Sequence, residues 1–365
     1  MTAFVESCVE TVADQATKAE RGARGRPRAG KLLKVLAGKH RILVTTHMHP
    51  DPDALGSSLA MVRLIQAKLP DADVRMSIKG PIGGGINSTF LELTDLPLVP
   101  WDDAKLAGYD AIILLDTQPS FAYSPLPPHA PPTVLIDHHR AAGRKPKLPF
   151  VDIRTDAGAA ASIVFSYFME LNLEIAPDLA ASLLYAIESD LAGAAGTPGG
   201  LDNIAVSSLT LKADTRRLWR MRHPPLQRSY YVAFAEALTS AMVYDTAIVA
   251  HIGRIDTMEK PAVVADALLR YDKVNYALVT AEHEGNLVVS FRTDDAKVTA
   301  GAIIGRVLRG LGEGGGHKRK AGGFAKPGPD TAPDLDKLRR LVVRKLLRAL
   351  KLKGAKGVHL TAPCD

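Results

Sequence analysis

The chain has 365 residues, 46% hydrophobic, 23% charged and 5% aromatic, with a formal net charge of +7. This is ordinary globular composition, long enough for two or three domains with cores of their own, and it excludes a mostly disordered, collagen-like or coiled-coil chain. No uncharged apolar run reaches the roughly 18 residues of a membrane-spanning helix, and the first 15 residues lack the apolar stretch of a signal peptide. The two cysteines, Cys8 and Cys364, stand at opposite ends and make neither a disulfide framework nor a zinc site. A cytoplasmic protein is expected. The positive charge is concentrated: 318–356 holds 13 Lys and Arg against three Asp, and 18–41 holds nine against Glu20. Basic ends around a mildly acidic body point to an anionic partner or substrate, while solvated helix faces explain the same charge as well.

Residues 1–37 read as a polar, Arg-rich helical extension broken around 22–30. A buried-type strand follows over 41–47, then a polar turn over 48–53 and an apolar helix from Ala54 to about Leu69. The next strand is expected over 74–79, and 80–85 is a glycine loop by composition. Two further buried-type strands cover 111–116 and 133–137, and helices cover 157–171 and 177–189, with Pro177 suited to a first turn. Strands alternating with helices predict an α/β domain with a parallel, Rossmann-like sheet over 38–205. Residues 206–240 read as a helical linker interrupted at His223-Pro-Pro. A smaller α/β domain is expected over 241–326, with strands near 246–251, 276–281 and 287–293 and a helix over 298–311. A basic helical tail, 327–365, has leucines at helical spacing among many cations. No internal repeat occurs.

Three of these strands end in the same chemistry. The first ends at His47, followed by Asp51 and Asp53; the second at Asp116; the third at Asp137, His138 and His139. Ligand sites in open parallel sheets lie outside the carboxyl ends of the strands, so these groups converge on one edge, where Asp190 at a helix end can join them. Packed carboxylates repel unless a counter-charge is present, and bound divalent cations supply one. Imidazoles and carboxylates without thiolates suit Mn²⁺, Mg²⁺ or a similar ion, and a pair of ions would account for so many donors. Taken singly, each group has an ordinary role: an Asp after a strand caps the next helix, and an isolated His is structural. The joint placement favours metal.

These residues resemble a known group, the DHH phosphoesterase superfamily. His47-Met-His-Pro-Asp51-Pro-Asp53-Ala-Leu-Gly-Ser57 is similar to its first motif, Asp116 to its second, Asp137-His138-His139 to its namesake triplet and Asp190 to its fourth. Ser290-Phe-Arg292, the run Gly314, Gly315, Gly316, His317, and Ala321-Gly-Gly323 resemble the DHH-associated C-terminal domain. The resemblance covers roughly 38–325. It implies that His47, Asp51 and Asp116 hold one metal and that Asp53, Asp116, His138 and Asp190 hold the other, with a hydroxide between them attacking phosphorus. It implies two divalent cations, Mn²⁺ first and Mg²⁺ or Co²⁺ next. Asp137 would orient His138, and His139 would contact the substrate phosphate. His49 falls outside the ligand positions, as a supporting or solvated group. The fourth motif reads Asp190-Leu-Ala where the family has Asp-Thr-Gly, and Lys320 replaces an alanine.

In the second domain the glycines can bring main-chain N–H groups to an anion as a nest, Arg292 offers a planar fork and His317 a further donor; a flexible connection and a surface strand charge are the plain alternatives. The two-domain size and C-terminal motif resemble the nanoRNase and pAp phosphatase branch, whose proteins are also labelled exopolyphosphatase-related. That implies hydrolysis of short RNA or DNA oligonucleotides, linear dinucleotides or pAp. A phosphatase acting on polyphosphate and a non-catalytic nucleic-acid binder remain as alternatives. The low aromatic content favours short substrates, since long single strands are usually held by stacking. Phe291 and Phe324 suit the core, and Trp219 an exposed basic helix. No stable protein partner is evident, and a homodimer is compatible with the leucine-bearing tail.

Overall fold

The computed structural model describes residues 28–48, 50–80, 82, 86–140, 146–191, 198–316, 318–328 and 334–362. The expectations for His49, His317, both cysteines and most of the basic N-terminal extension lie outside them. The chain divides into two compact units, the first ending at Pro224 and the second beginning at Pro225.

In the first unit, α1 (Arg28–Leu36) leads into β1 (Arg41–Thr45), α2 (Pro52–Lys68) and β2 (Asp73–Met76). Then come α3 (Ile86–Leu93), β3 (Ala111–Leu115), β4 (Val134–Asp137), β5 (Phe150–Ile153), α4 (Ala160–Glu170) and α5 (Pro177–Leu191). The five strands are parallel in the order β2-β1-β3-β4-β5. β1 and β3 are neighbours from which the chain departs in opposite directions, and such a switch point leaves a crevice at the carboxyl ends of the strands. Strand β3 is buried along its whole length, as its unbroken aliphatic sequence requires of a strand covered on both faces.

Helix α2 carries almost no polar face. From Pro52 to Met61 every residue is buried, Asp53 included. Asp51 caps it, accepting the Ala54 N–H at 3.0 Å, and Pro52 occupies the first turn. A Cβ at Gly56 would lie 2.6 Å from Cβ of Ala186, so the missing side chain is what lets α2 approach α5.

β5, not anticipated from the sequence, is short and alternates buried with half-buried residues. It contributes the wholly buried Asp152, which accepts from Arg28, Arg154 and the Tyr167 hydroxyl at 2.7 Å. This buried carboxylate is matched by two guanidinium groups. It ties α1 and α4 to the sheet, and α1 runs through Ala29 and Gly30, inside the span where glycines predicted a break.

The expected linker is instead shared between the cores. α6 (Gly200–Thr210) and α7 (Thr215–Arg222) bury Leu209, Leu218 and Met221 in the first unit. α8 (Arg228–Ser240) buries Ala233 and Ala237 in the second. Apolar side chains at helical spacing find a core wherever one is near, so only the short stretch at His223-Pro-Pro is left between elements.

The second unit continues with β6 (Met242–Tyr244), β7 (Ala247–Arg254), α9 (Lys260–Leu268), β8 (Tyr276–His283) and β9 (Asn286–Thr293). It ends with α10 (Ala300–Leu308), β10 (Gly312–Gly316), β11 (Lys320–Ala325), α11 (Leu335–Ala349) and β12 (Val358–His359). Its seven strands run β10-β11-β9-β8-β7-β6-β12, antiparallel except for β7 beside β8. One face packs on α8 and α9, the other on α10 and α11. The basic tail is therefore not a free arm: Leu338, Val342 and Leu346 of α11 are fully buried with α10 and β9, and its cations occupy the remaining faces.

Candidate metal centre

The carboxyl ends of β1, β3 and β4 deliver His47, Asp116 and the run Asp137-His138-His139, and the ends of α2 and α5 add Asp51, Asp53 and Asp190. Three groups of donors have ligand atoms within 4.8 Å of one another: His47, Asp51 and Asp116; Asp53, His138 and Asp190; and Asp116 with Asp137, His138 and His139. Asp116 sits at their junction. Its carboxylate lies 3.5 Å from His47 Nε2, 3.2 Å from His138 Nε2 and 3.6 Å from His139 Nδ1. It takes a left-handed backbone conformation at φ 54°, uncommon outside glycine and tolerated best by Asn and Asp. His138 Nε2 is also 3.5 Å from Asp190 and 3.9 Å from Asp53.

The neighbours orient these donors. His47 Nδ1 donates to the Met48 carbonyl at 2.9 Å, which leaves Nε2 as the ring nitrogen that faces Asp116. Asp53 accepts the Ala160 and Ala161 N–H groups at 2.7 and 2.9 Å, so α4 begins on its carboxylate. The loop before α4 is held by buried Asp202, which accepts from Gly158 and Gly199, each at 2.7 Å. Asp137 accepts the main-chain N–H of His138 and bonds His139 Nδ1, both at 2.8 Å. The expectation that Asp137 orients the His138 ring is corrected: its carboxylate meets the ring of His139, because the chain turns after β4 and brings the second imidazole back over it. Gln118, which the sequence reading passed over, donates to Asp137 at 2.7 Å and to the His139 carbonyl at 3.0 Å. An amide two residues past a candidate ligand was the only signal for it.

Burial and mutual charge set the protonation. Burial drives the Asp53 carboxyl well above its ordinary range, and the charges of Asp116 and Asp190 push it further. Burial works against the charged form of Asp116 too, but His138 and His47 outweigh it and hold this carboxyl far below that range. Burial opposes charging of both imidazoles, yet Asp116 leaves His47 raised to about 9 and His138 to about 10. Even so, Asp116 Oδ1 and His138 Nε2 are buried without a properly directed hydrogen bond. Converging buried donors with unsatisfied lone pairs and no thiolate fit a hard or borderline dication.

In the second unit, Arg292 lies on β9 with a nearly buried side chain. Its Nε donates to Asp266 at 2.6 Å and Nη1 to Ser290 and the Phe291 carbonyl at 3.1 and 3.2 Å, so most of the expected anion fork is already engaged. Gly314, Gly315 and Gly316 form an edge strand paired with β11, not a nest. An extended strand points successive N–H groups in alternate directions and cannot converge them. Two of these glycines answer to packing: a Cβ on Gly314 would meet Leu308 at 2.5 Å, and Gly316 has φ 149° with the Lys320 carbonyl 2.3 Å from its Cβ position. Phe291 is fully buried, whereas Trp219 is 61% exposed.

Residues 41–187 match the family model described as DHH family, N-terminal domain. An uncharacterized protein of Methanocaldococcus jannaschii is 29% identical over 337 residues, covering 90% of this chain and 68% of that protein. A probable bifunctional oligoribonuclease and PAP phosphatase NrnA of Streptococcus mutans is 30% identical over 159 residues, covering 42% of this chain and 46% of that protein. A probable manganese-dependent inorganic pyrophosphatase of Lactococcus lactis is 31% identical over 156 residues, covering 41% and 48%. The matches to these last two span about half of each protein. An exopolyphosphatase-related protein from Bacteroides fragilis has the same fold, with a TM-score of 0.70 at 16% identity over 89% of this chain and 97% of that one. Residues 41–187 thus carry a match to the DHH-family N-terminal domain, the stretch that supplies His47, Asp51, Asp53, Asp116, Asp137, His138 and His139.

Proposed function

We propose that the chain hydrolyses short oligonucleotides, linear dinucleotides or pAp at a two-cation centre. His47, Asp51 and Asp116 hold one ion; Asp53, Asp116, His138 and Asp190 hold the other; Mn²⁺ is the first choice. The observation that carries this reading is the position of Asp116, buried between His47 and His138 with an oxygen left unsatisfied. When bound, the ions supply Lewis acidity toward phosphoryl oxygens and lower the pKa of a water. The chain's own groups set the stage: Asp116 is shared by both donor groups, and Met48 fixes the His47 tautomer. Asp137 with Gln118 holds His139 as a donor for the substrate phosphate. The relative from Streptococcus mutans supports a nucleotide substrate.

A second reading, hydrolysis of inorganic pyrophosphate or polyphosphate, is supported by likeness to the Lactococcus lactis protein over the metal-centre unit. The test is a panel of pAp, pApA, RNA and DNA dimers to tetramers, pyrophosphate and polyphosphate, each with Mn²⁺ and Mg²⁺. Mononucleotide release from pApA or the short oligomers is expected, with loss of at least about a hundredfold in Asp116→Asn, a substitution that suits the left-handed backbone. Turnover of pyrophosphate or polyphosphate alone overturns the nucleotide reading. Undiminished turnover in Asp116→Asn removes this site from the chemistry.

A further inference from the structure

The second unit holds a cavity of about 540 Å³ on the sheet face that α11 only partly covers. The stripe Leu338, Val342, Leu346 packs down over β9 and α10, and the next stripe of the same helix overhangs β6 and β7. The floor is apolar, from Met242, Tyr244 and Val249, with Val343 and Leu347 above it. The rim is cationic. Arg340, Arg344 and Arg348 recur every fourth residue, so they form one row along the helix, and Lys353 continues it beyond the helix end. Among the described residues no carboxylate lines the cavity. Among the described residues none of these four cations has an acidic partner, although like charges at this spacing repel. Arg339 pairs with Asp336 at 2.9 Å, yet its buried Nε has no acceptor.

Uncharged polar groups complete the wall, His251, Thr280 and Ser240 among them. His251 shares a contact of 3.0 Å between Nδ1 and the Thr280 hydroxyl, which itself donates to the Ala250 carbonyl at 3.3 Å. Nδ1 is therefore the protonated nitrogen, and Nε2 accepts. Ser240 clamps the main chain of His251 on both sides, at 2.7 and 2.9 Å. Burial and the nearby Arg339 keep the ring neutral.

A row of guanidinium groups without acidic partners above an apolar floor, with a neutral acceptor in the same lining, suits a small molecule that is anionic at one end and flat and apolar at the other. The volume lies in the usual range for one such ligand, roughly 300–1,000 Å³. We propose that this cavity binds a nucleoside phosphate: the α11 arginines hold the phosphates, β6 and β7 support the base, and His251 accepts from an amino or hydroxyl group of the nucleoside. Bidentate guanidinium contact is well matched to phosphate oxygens. The site shares no residue with the metal centre, so it stands or falls independently of the reading above.

The test is calorimetric titration of the full chain with ADP, adenosine and inorganic pyrophosphate, in EDTA to keep cations out of the metal centre. ADP is expected to bind at least about tenfold more tightly than either fragment, since each engages only one half of the cavity. The exposed double change Arg344→Glu with Arg348→Glu is expected to weaken ADP by about tenfold or more. Val343→Trp, which fills the space without altering charge, is expected to do the same. Asp116→Asn and Arg292→Ala are expected to bind ADP like the unaltered chain. Melting curves verify that each variant is folded. Absence of ADP binding, an unchanged Kd in the double arginine variant, or pyrophosphate binding as tightly as ADP overturns the proposal.

Discussion

Asp137 Oδ1 stands 2.8 Å from His139 Nδ1, and the same oxygen accepts the main-chain N–H of His138 at 2.8 Å. One carboxylate thus fixes the path of the chain and the plane of the second imidazole, while Gln118 holds its other oxygen. Asp137→Asn is expected to lower kcat about ten- to a hundredfold, the cost of losing a group that orients a working imidazole, with bound metal retained. Metal content by emission spectroscopy and turnover by product release check this together. Simultaneous loss of metal and activity would make Asp137 a ligand in its own right.

Asp53 places a charge at the start of α4 and also within a group of buried carboxylates. Without metal the repulsion dominates, because burial and two neighbouring charges all oppose its ionised form. Asp53→Asn keeps one of the two acceptors that α4 begins on and removes the charge. In EDTA its melting temperature is expected to equal or exceed that of the unaltered chain, while stabilisation by added Mn²⁺ disappears. A fall of more than about 4 °C in EDTA would show that the charge matters more as a helix cap than as a source of repulsion.

The metal-free protein should also lose stability as pH rises. His47 and His138 are raised from 6.5 to about 9 and about 10 by Asp116. The folded form therefore holds protons that the unfolded chain releases. This contribution is complete below pH 6.5 and is lost as pH climbs through 9 to 10. Melting curves in EDTA should fall across that interval, and His47→Gln should flatten them. Metal binding needs the same imidazoles neutral, so added Mn²⁺ should stabilise more as pH rises from 6.5. A melting temperature that climbs with pH in EDTA contradicts the pairing.

The glycines of β10 and β11 separate packing from chemistry. A Cβ on Gly323 would fall 2.3 Å from the Glu313 carbonyl oxygen, whereas Gly315 opens onto free space. Gly323→Ala is expected to destabilise the second unit by about 1–3 kcal/mol, as overpacking generally does. Gly315→Ala is expected to leave denaturant midpoints unchanged. Equal destabilisation by the two would mean that the edge strand is strained throughout.

The cationic helix α11 is structural before it is anything else. Leu346→Ala is expected to cost about 2–5 kcal/mol, the range for emptying a packed leucine site, and removing 334–362 is expected to unfold the second unit. Urea unfolding followed by circular dichroism checks both. A truncated chain with its second unit intact would return this segment to the role of a dispensable arm.

The parallel sheet was legible because β1, β3 and β4 are short runs of aliphatic residues, and only a strand covered on both faces tolerates such a run. His47, Asp116 and the run Asp137-His138-His139 were legible because they follow those strands closely, so knowing the sheet amounts to knowing their edge; Asp51, Asp53 and Asp190 come from helix ends. What lay beyond reach depends on contacts distant in sequence. Gln118 reaches Asp137, Asp53 receives α4 from 107 residues away, and α11 covers a sheet whose strands begin nearly a hundred residues earlier. Glycine-rich segments were misread for a related reason: composition cannot distinguish a residue that must bend from one that must leave room, and only the neighbouring backbone decides. Periodicity marks which side chains leave water; the packed chain alone determines what they meet there.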